Sequence, residues 1–174
     1  MRTVVFLYNE LLDEKIQKEL GLPLEFISFA YVENMTLYEI NGKSIMVTKD
    51  TLRKSNRDNK VYGAIFVLNN SEKFLRILDA SLICSKSMIG TNHDLDVHHR
   101  TKLKVTPIHI KSIEDFLSLK YNEVEPMEII SYVGNVKNKI IREKVQNKTD
   151  NRVKYGFDIN NFINILLKEC KYEE

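Results

Sequence analysis

From Thr3 to Tyr8 the chain runs through β-branched and aromatic side chains, which predicts an opening buried strand. Asp13 then caps a short helix over 14–20, which Gly21 stops with Pro23 just beyond. β-Formers fill 26–40, and Asn41-Gly42 is the strongest hairpin signal in the chain, joining a strand that ends near Ile40 to a second over 43–48. The stretch 50–60 is polar and charged, a solvated loop. Val61 to Leu68 is a nearly continuous apolar run and predicts a central strand. Ser71 caps the next helix, with Phe74, Leu75 and Leu78 at helical spacing. Residues 80–97 show no clear period and include a loop around Gly90-Thr91-Asn92. Thr101, Leu103 and Val105 alternate with Lys102, Lys104 and Thr106, the pattern of a strand with one wet face. Ser112 opens a further helix with Asp115 completing an imperfect capping box, and 136–145 and 159–167 read as amphipathic helices. This order predicts an α+β domain with a small, largely antiparallel or barrel-like sheet rather than a βαβ series.

Composition narrows the class without naming a function. At 174 residues the chain suits one domain, and 43% hydrophobic with 29% charged residues is ordinary for a soluble globular protein. The 26 basic and 24 acidic side chains leave a net charge of +2, too balanced for a dedicated nucleic-acid binder. Three prolines and six glycines argue against a linker or low-complexity tail. Cys84 and Cys170 are the only cysteines and form no CxxC, so neither a disulfide framework nor a thiolate metal site is expected. No stretch approaches a membrane span or a signal peptide, and a reducing cytoplasm is the simplest home. The abundance of Lys, Asn and Ile points to an AT-rich coding genome, as of a low-GC bacterium or its phage.

The densest polar constellation runs from Asn92 through His93, Asp94, Asp96, His98 and His99 to Arg100. A metal would need three or four ligands on one side, whereas strand alternation sets His93 and His99 opposite Asp96 and His98, so no metal site is expected. The same region, with Lys102 and Lys104, supplies positive charge for an anionic ligand. No GxSxG elbow, Walker loop or GxGxxG is present, and no cofactor is expected. Cys84 reads as a buried inert thiol. Gly63, next to Tyr62 inside an apolar strand, marks a bulge or the close approach of a ligand or another backbone.

Four stretches taken in order resemble the gamma-glutamyl cyclotransferase-like family, also called AIG2-like. These are Phe6-Leu7-Tyr8-Asn9-Glu10-Leu11, Val61-Tyr62-Gly63-Ala64-Ile65-Phe66, Leu75-Arg76-Ile77-Leu78-Asp79, and His98-His99-Arg100 leading to Val105. The resemblance spans about Thr3 to Val105 and implies a small mixed β-barrel flanked by helices, with a pocket at the barrel mouth. It divides the single domain 1–174 into a barrel-like core over 1–110 and a helical C-terminal extension over 111–174. In that family the substrate's own α-amino group attacks its γ-glutamyl carbonyl, releasing 5-oxoproline. Such a reaction needs backbone N–H groups from the turn after the first strand and a carboxylate to move the proton.

This chain departs from the pattern at both places. The position three residues after Asp79, where the family carries its glutamate, is Leu82, which has no proton to exchange. The loop glycine is Asn9, which can adopt positive φ at some cost, and Glu10 follows it with a negative charge. The expectation is therefore a non-catalytic small-molecule-binding protein, with an anionic ligand, of which a nucleotide-like one is an example, touching Tyr8, Asn9, Glu10, Leu11, Tyr62, Gly63, Asp79, His98, His99 and Arg100. For a phage protein, sequestering a host signalling molecule is a natural use. One alternative is an active cyclotransferase or related amide-cleaving enzyme with Glu10, Asp79 or Asp94 as proton carrier. Another is a protein-interaction module using the C-terminal helices. Neither nucleic acid nor membrane is an expected partner, and a homo-oligomer is left open.

Overall fold

Val61 to Leu68 is buried at every position, and the strand it forms is the middle of the molecule. The computed structural model describes residues 2–40, 43–48, 60–82, 98–111, 114–115, 118 and 120–134. In chain order the elements are β1 (Arg2–Leu7), a 3-10 turn (Glu10–Leu12), α1 (Glu14–Glu19), β2 (Leu24–Val32), β3 (Met35–Ile40) and β4 (Lys43–Thr48). They continue with β5 (Val61–Asn69), α2 (Ser71–Leu82), β6 (His98–His109), β7 (Asn122–Glu123) and β8 (Met127–Gly134).

β5 lies between β1 and β2, antiparallel to both, with Leu7 opposite Ala64 and Ala30 opposite Gly63. β1 pairs in parallel with β8 at Val5 and Ile130. β8 runs antiparallel to β6 from His98 opposite Gly134 to Val105 opposite Met127. β6 returns to β2 from Phe29 opposite Ile108 to Val32 opposite Val105, closing the ring β2-β5-β1-β8-β6. The result is a small mixed barrel of five strands with helices against it, an α+β fold as the pattern predicted. Closure leaves these strands no free edge along the ring. The β3–β4 hairpin is a separate sheet with Ile40 opposite Lys43, the register that an Asn-Gly connection predicts.

β5 has apolar neighbours on both faces, so its sequence run is continuous, whereas the first half of β6 alternates because one of its faces is wet. Val5 and Leu7 join Phe29, Tyr31, Tyr62, Phe66, Ile108 and Tyr132 in one cluster, on which Ile16 and Leu20 of α1 and Phe74, Leu75 and Ile77 of α2 pack. Phe6 and Tyr8 point the other way, among Ala30, Val61, Ile65, Ile129 and Val133, and there they meet Leu37 and Met46 of the hairpin. α1 is held at both ends as expected: Asp13 Oδ1 accepts from Lys15 N–H at 2.9 Å. At its other end Gly21, at φ +68°, lets Leu22 N–H reach the Gln17 carbonyl at 2.9 Å. Among the described residues no helix is long and apolar enough to cross a membrane.

Three expectations change. The β-rich stretch 26–40 is two strands, because Glu33 and Asn34 turn the chain with Asn34 at φ 62°. α2 starts at Ser71 behind Asn70, whose φ of 53° makes the turn out of β5. The barrel does not end near residue 110: β8 is a full member between β1 and β6, so this part of 111–174 is strand and not helical extension. Its Ile129-Ile130-Ser131-Tyr132-Val133 run carried the signal. The helices expected over 136–145 and 159–167 lie outside the described residues, as do Cys84, Cys170, His93, Asp94 and Asp96.

Candidate functional site

β1, β8 and the start of β5 converge at one end of the barrel, where β1 delivers Tyr8 into the turn that precedes α1. Asn9 is 1% exposed. It does not use the left-handed region; the described non-glycine residues at positive φ are Asn34 and Asn70. Asn9 instead closes its own turn, Oδ1 accepting from Leu11 N–H at 3.1 Å and its carbonyl from Leu12 N–H at 3.0 Å. Gln17 of α1, also buried, donates from Nε2 to the Leu11 carbonyl at 2.6 Å. The Leu11 and Leu12 N–H groups of the turn after β1 are thus bonded to Asn9.

A second network crosses from α2 to the hairpin. Tyr132 on β8 is fully buried and donates its hydroxyl to Asp79 Oδ1 at 2.7 Å. Arg100 Nη1 stands 3.1 Å from Asp79 Oδ2, the Asp79 side chain being half-buried and that of Arg100 exposed. Arg100 and Tyr132 are opposite one another across β6 and β8, so they share a face and meet Asp79 together. Burial, reinforced by the Asp79 hydrogen bond, raises the Tyr132 hydroxyl well above the ordinary phenol range. It is a donor here and not a base. The Tyr132 carbonyl in turn accepts the Tyr8 hydroxyl at 2.7 Å, and Tyr8 Oη accepts from Met46 N–H at 3.3 Å. Tyr8 is therefore a buried strut between barrel and hairpin.

Gly63 faces the backbone of the neighbouring strand. A Cβ there would collide with the Leu7 carbonyl and come within 2.9 Å of the Phe6 ring. Of the readings its sequence position allowed, close approach of another backbone is the one seen. Tyr62 is buried beside Tyr31 and Tyr121, with ring centroids 5.9 and 6.2 Å away, and its hydroxyl lies 2.9 Å from that of Tyr121. Tyr31 donates to Glu123 Oε1 at 2.8 Å and carries Lys60 Nζ 4.6 Å above its ring. Burial first and the Glu123 carboxylate second push the Tyr31 hydroxyl up to about 12. His98 is buried and His99 exposed, the alternation expected of the strand. Leu11 is buried in the helix-side cluster.

The structure thus brings Tyr8, Asp79 and Arg100 into one hydrogen-bonded chain through Tyr132, and encloses Asn9 in its own turn. The side chains of Glu10 and Leu82 lie outside the described residues. Gln17 and Tyr132 escaped sequence reasoning. Gln17 carried a faint signal, a polar residue next to Ile16 and within a turn of Leu20 on a short helix; Tyr132 was hidden with its strand. No group of three His, Cys, Asp or Glu side chains capable of holding a metal occurs among the described residues.

The fold is a mixed β-barrel with helices packed on one face, and this is the level at which known proteins compare with it. No protein-family model matches the chain, and no curated protein does. Among solved structures it is similar to a uropathogenic E. coli-specific protein, at 12% identity and TM-score 0.50 over 88% of this chain and 94% of that one. It is also similar to a gamma-glutamyl cyclotransferase, at 13% identity and TM-score 0.48 over 78% of this chain and 68% of that one. An uncharacterized protein from Homo sapiens follows at 15% identity and TM-score 0.46 over 77% and 67%. The E. coli match, across nearly the whole of both chains, carries a likeness of fold; at 12% identity it carries nothing about activity.

Proposed function

We propose that the chain is a small-molecule-binding protein on a gamma-glutamyl cyclotransferase-like barrel, holding an anionic ligand at the β1-turn end without cyclotransferase chemistry. The observation that carries this reading is the state of the turn and its nearest described acid. Asn9 takes up the Leu11 and Leu12 N–H groups, and both oxygens of Asp79 are engaged, one by Tyr132 and one by Arg100. An oxyanion needs donors aimed at it, and a proton carrier needs an oxygen facing the substrate. Neither of these groups offers that. The sign of the ligand is read from β6, where alternation sets Arg100 on the same face as Lys102 and Lys104, all three exposed.

Native mass spectrometry of the protein as purified, followed by thermal shift with a panel of anionic metabolites, tests the reading. The expected result is a retained or stabilising anion recovered chemically unchanged. Release of 5-oxoproline from a γ-glutamyl amine, lost in Glu10→Gln, would overturn it and put catalysis on Glu10.

A further inference from the structure

Asp79 does more than occupy a proton carrier's neighbourhood. Its carboxylate accepts the hydroxyl of Tyr132, a side chain with no exposure, and it presents its other oxygen to Arg100. The pair itself is half open to water, with the Arg100 side chain 41% and the Asp79 side chain 29% exposed. A pair so exposed adds little to stability, while an incoming anion can still reach the guanidinium. Arginine offers five N–H donors in a planar fork, and the 3.1 Å contact to Asp79 engages one Nη. Two residues along β6 on the same face, Lys102 adds a second exposed cation about 7 Å away.

From this we infer that Asp79 is a built-in competitor for the ligand: held by Tyr132 against Arg100, it must be displaced or overcome by any anion that binds there. The consequence is selectivity. A monocarboxylate merely exchanges one carboxylate for another at Arg100 and gains nothing. A ligand with two or more phosphate-type oxyanion groups outbids Asp79, because it engages Arg100 and Lys102 together. The inference rests on the anion-binding reading above and deepens it to a ligand class.

The experiment is isothermal titration of the full chain with pyrophosphate and with acetate at one fixed ionic strength, comparing wild type, Asp79→Asn and Tyr132→Phe. Asparagine keeps an oxygen for the Tyr132 hydroxyl and removes the charge. It is expected to bind pyrophosphate about ten- to a hundredfold more tightly than wild type, the scale of one like charge removed from within a few ångströms of the site. Tyr132→Phe frees Asp79 without neutralising it and is expected to tighten binding about tenfold, since the charge-assisted hydrogen bond that holds the carboxylate is released. Wild type is expected to bind pyrophosphate and to give no heat with acetate. Equal pyrophosphate affinity in wild type and Asp79→Asn overturns the competitor role and leaves the binding reading standing. Binding by neither protein at millimolar pyrophosphate overturns both. Should Asp79→Asn fail to fold by far-ultraviolet circular dichroism, the Tyr132→Phe comparison decides, and unchanged affinity there refutes the competitor role.

Discussion

Gly63→Ala separates two accounts of the glycine in the central strand. If the position is kept bare for a ligand, an added methyl should weaken binding and leave the free protein as stable as before. The geometry says otherwise. The new Cβ would lie inside the contact radius of the Leu7 carbonyl and within 2.9 Å of Phe6 ring carbons. Neither can step aside: Leu7 is hydrogen-bonded in the β1–β5 ladder opposite Ala64, and Phe6 is fully buried. Overpacking a tight core costs about 1–3 kcal/mol, and a backbone carbonyl as the obstacle puts this site at the upper end, about 3 kcal/mol. For a chain of this size that corresponds to a fall of roughly 6–12 °C in Tm. Urea denaturation with paired far-ultraviolet and fluorescence readouts measures it, with an unchanged m-value confirming that stability and not compactness has moved. Gly21→Ala is the comparison, having nothing within 4 Å of the added carbon and only its φ of +68° to oppose it, at about 1 kcal/mol. A loss below about 0.5 kcal/mol for Gly63→Ala would refute the reasoning.

Gly134→Ala pushes a methyl into Ile45 and Val47 of the hairpin, and should loosen β3–β4 from β8, read as faster amide exchange confined to 35–48 and a loss of about 1–2 kcal/mol. Asn9→Ala removes the side-chain acceptor for Leu11 N–H and is expected to cost about 1 kcal/mol while speeding exchange of that amide. Tyr31 should stay protonated until about pH 12 in an ultraviolet titration of the folded protein. Because its folded value is raised above that of a free phenol, its contribution to stability is whole below pH 10 and is lost as pH rises from there through about 12. Glu123→Gln should bring the Tyr31 titration part of the way back, leaving the larger share that burial imposes.

Period and punctuation made much of the architecture legible. The run Val61 to Leu68, the Asp13 cap with its Gly21 stop, and the register around Asn41-Gly42 are local facts, settled by which side chains follow one another, and each reappears as β5, α1 and the β3–β4 pairing. β8 was missed because a short strand announces itself only by composition, and its place between β1 and β6 depends on partners more than twenty residues away. The candidate site was legible as a set of residue types and not as a set of bonds. Sequence alone determined that Tyr8, Asn9, Asp79 and Arg100 are present, and at what spacing. Tertiary structure decided that Tyr8 is a strut, that Asn9 satisfies its own turn, and that Asp79 meets both Tyr132 and Arg100. The reason is physical: a hydrogen bond between residues 53 or 124 positions apart is directional and short-ranged, and only barrel closure brings its donor and acceptor into line.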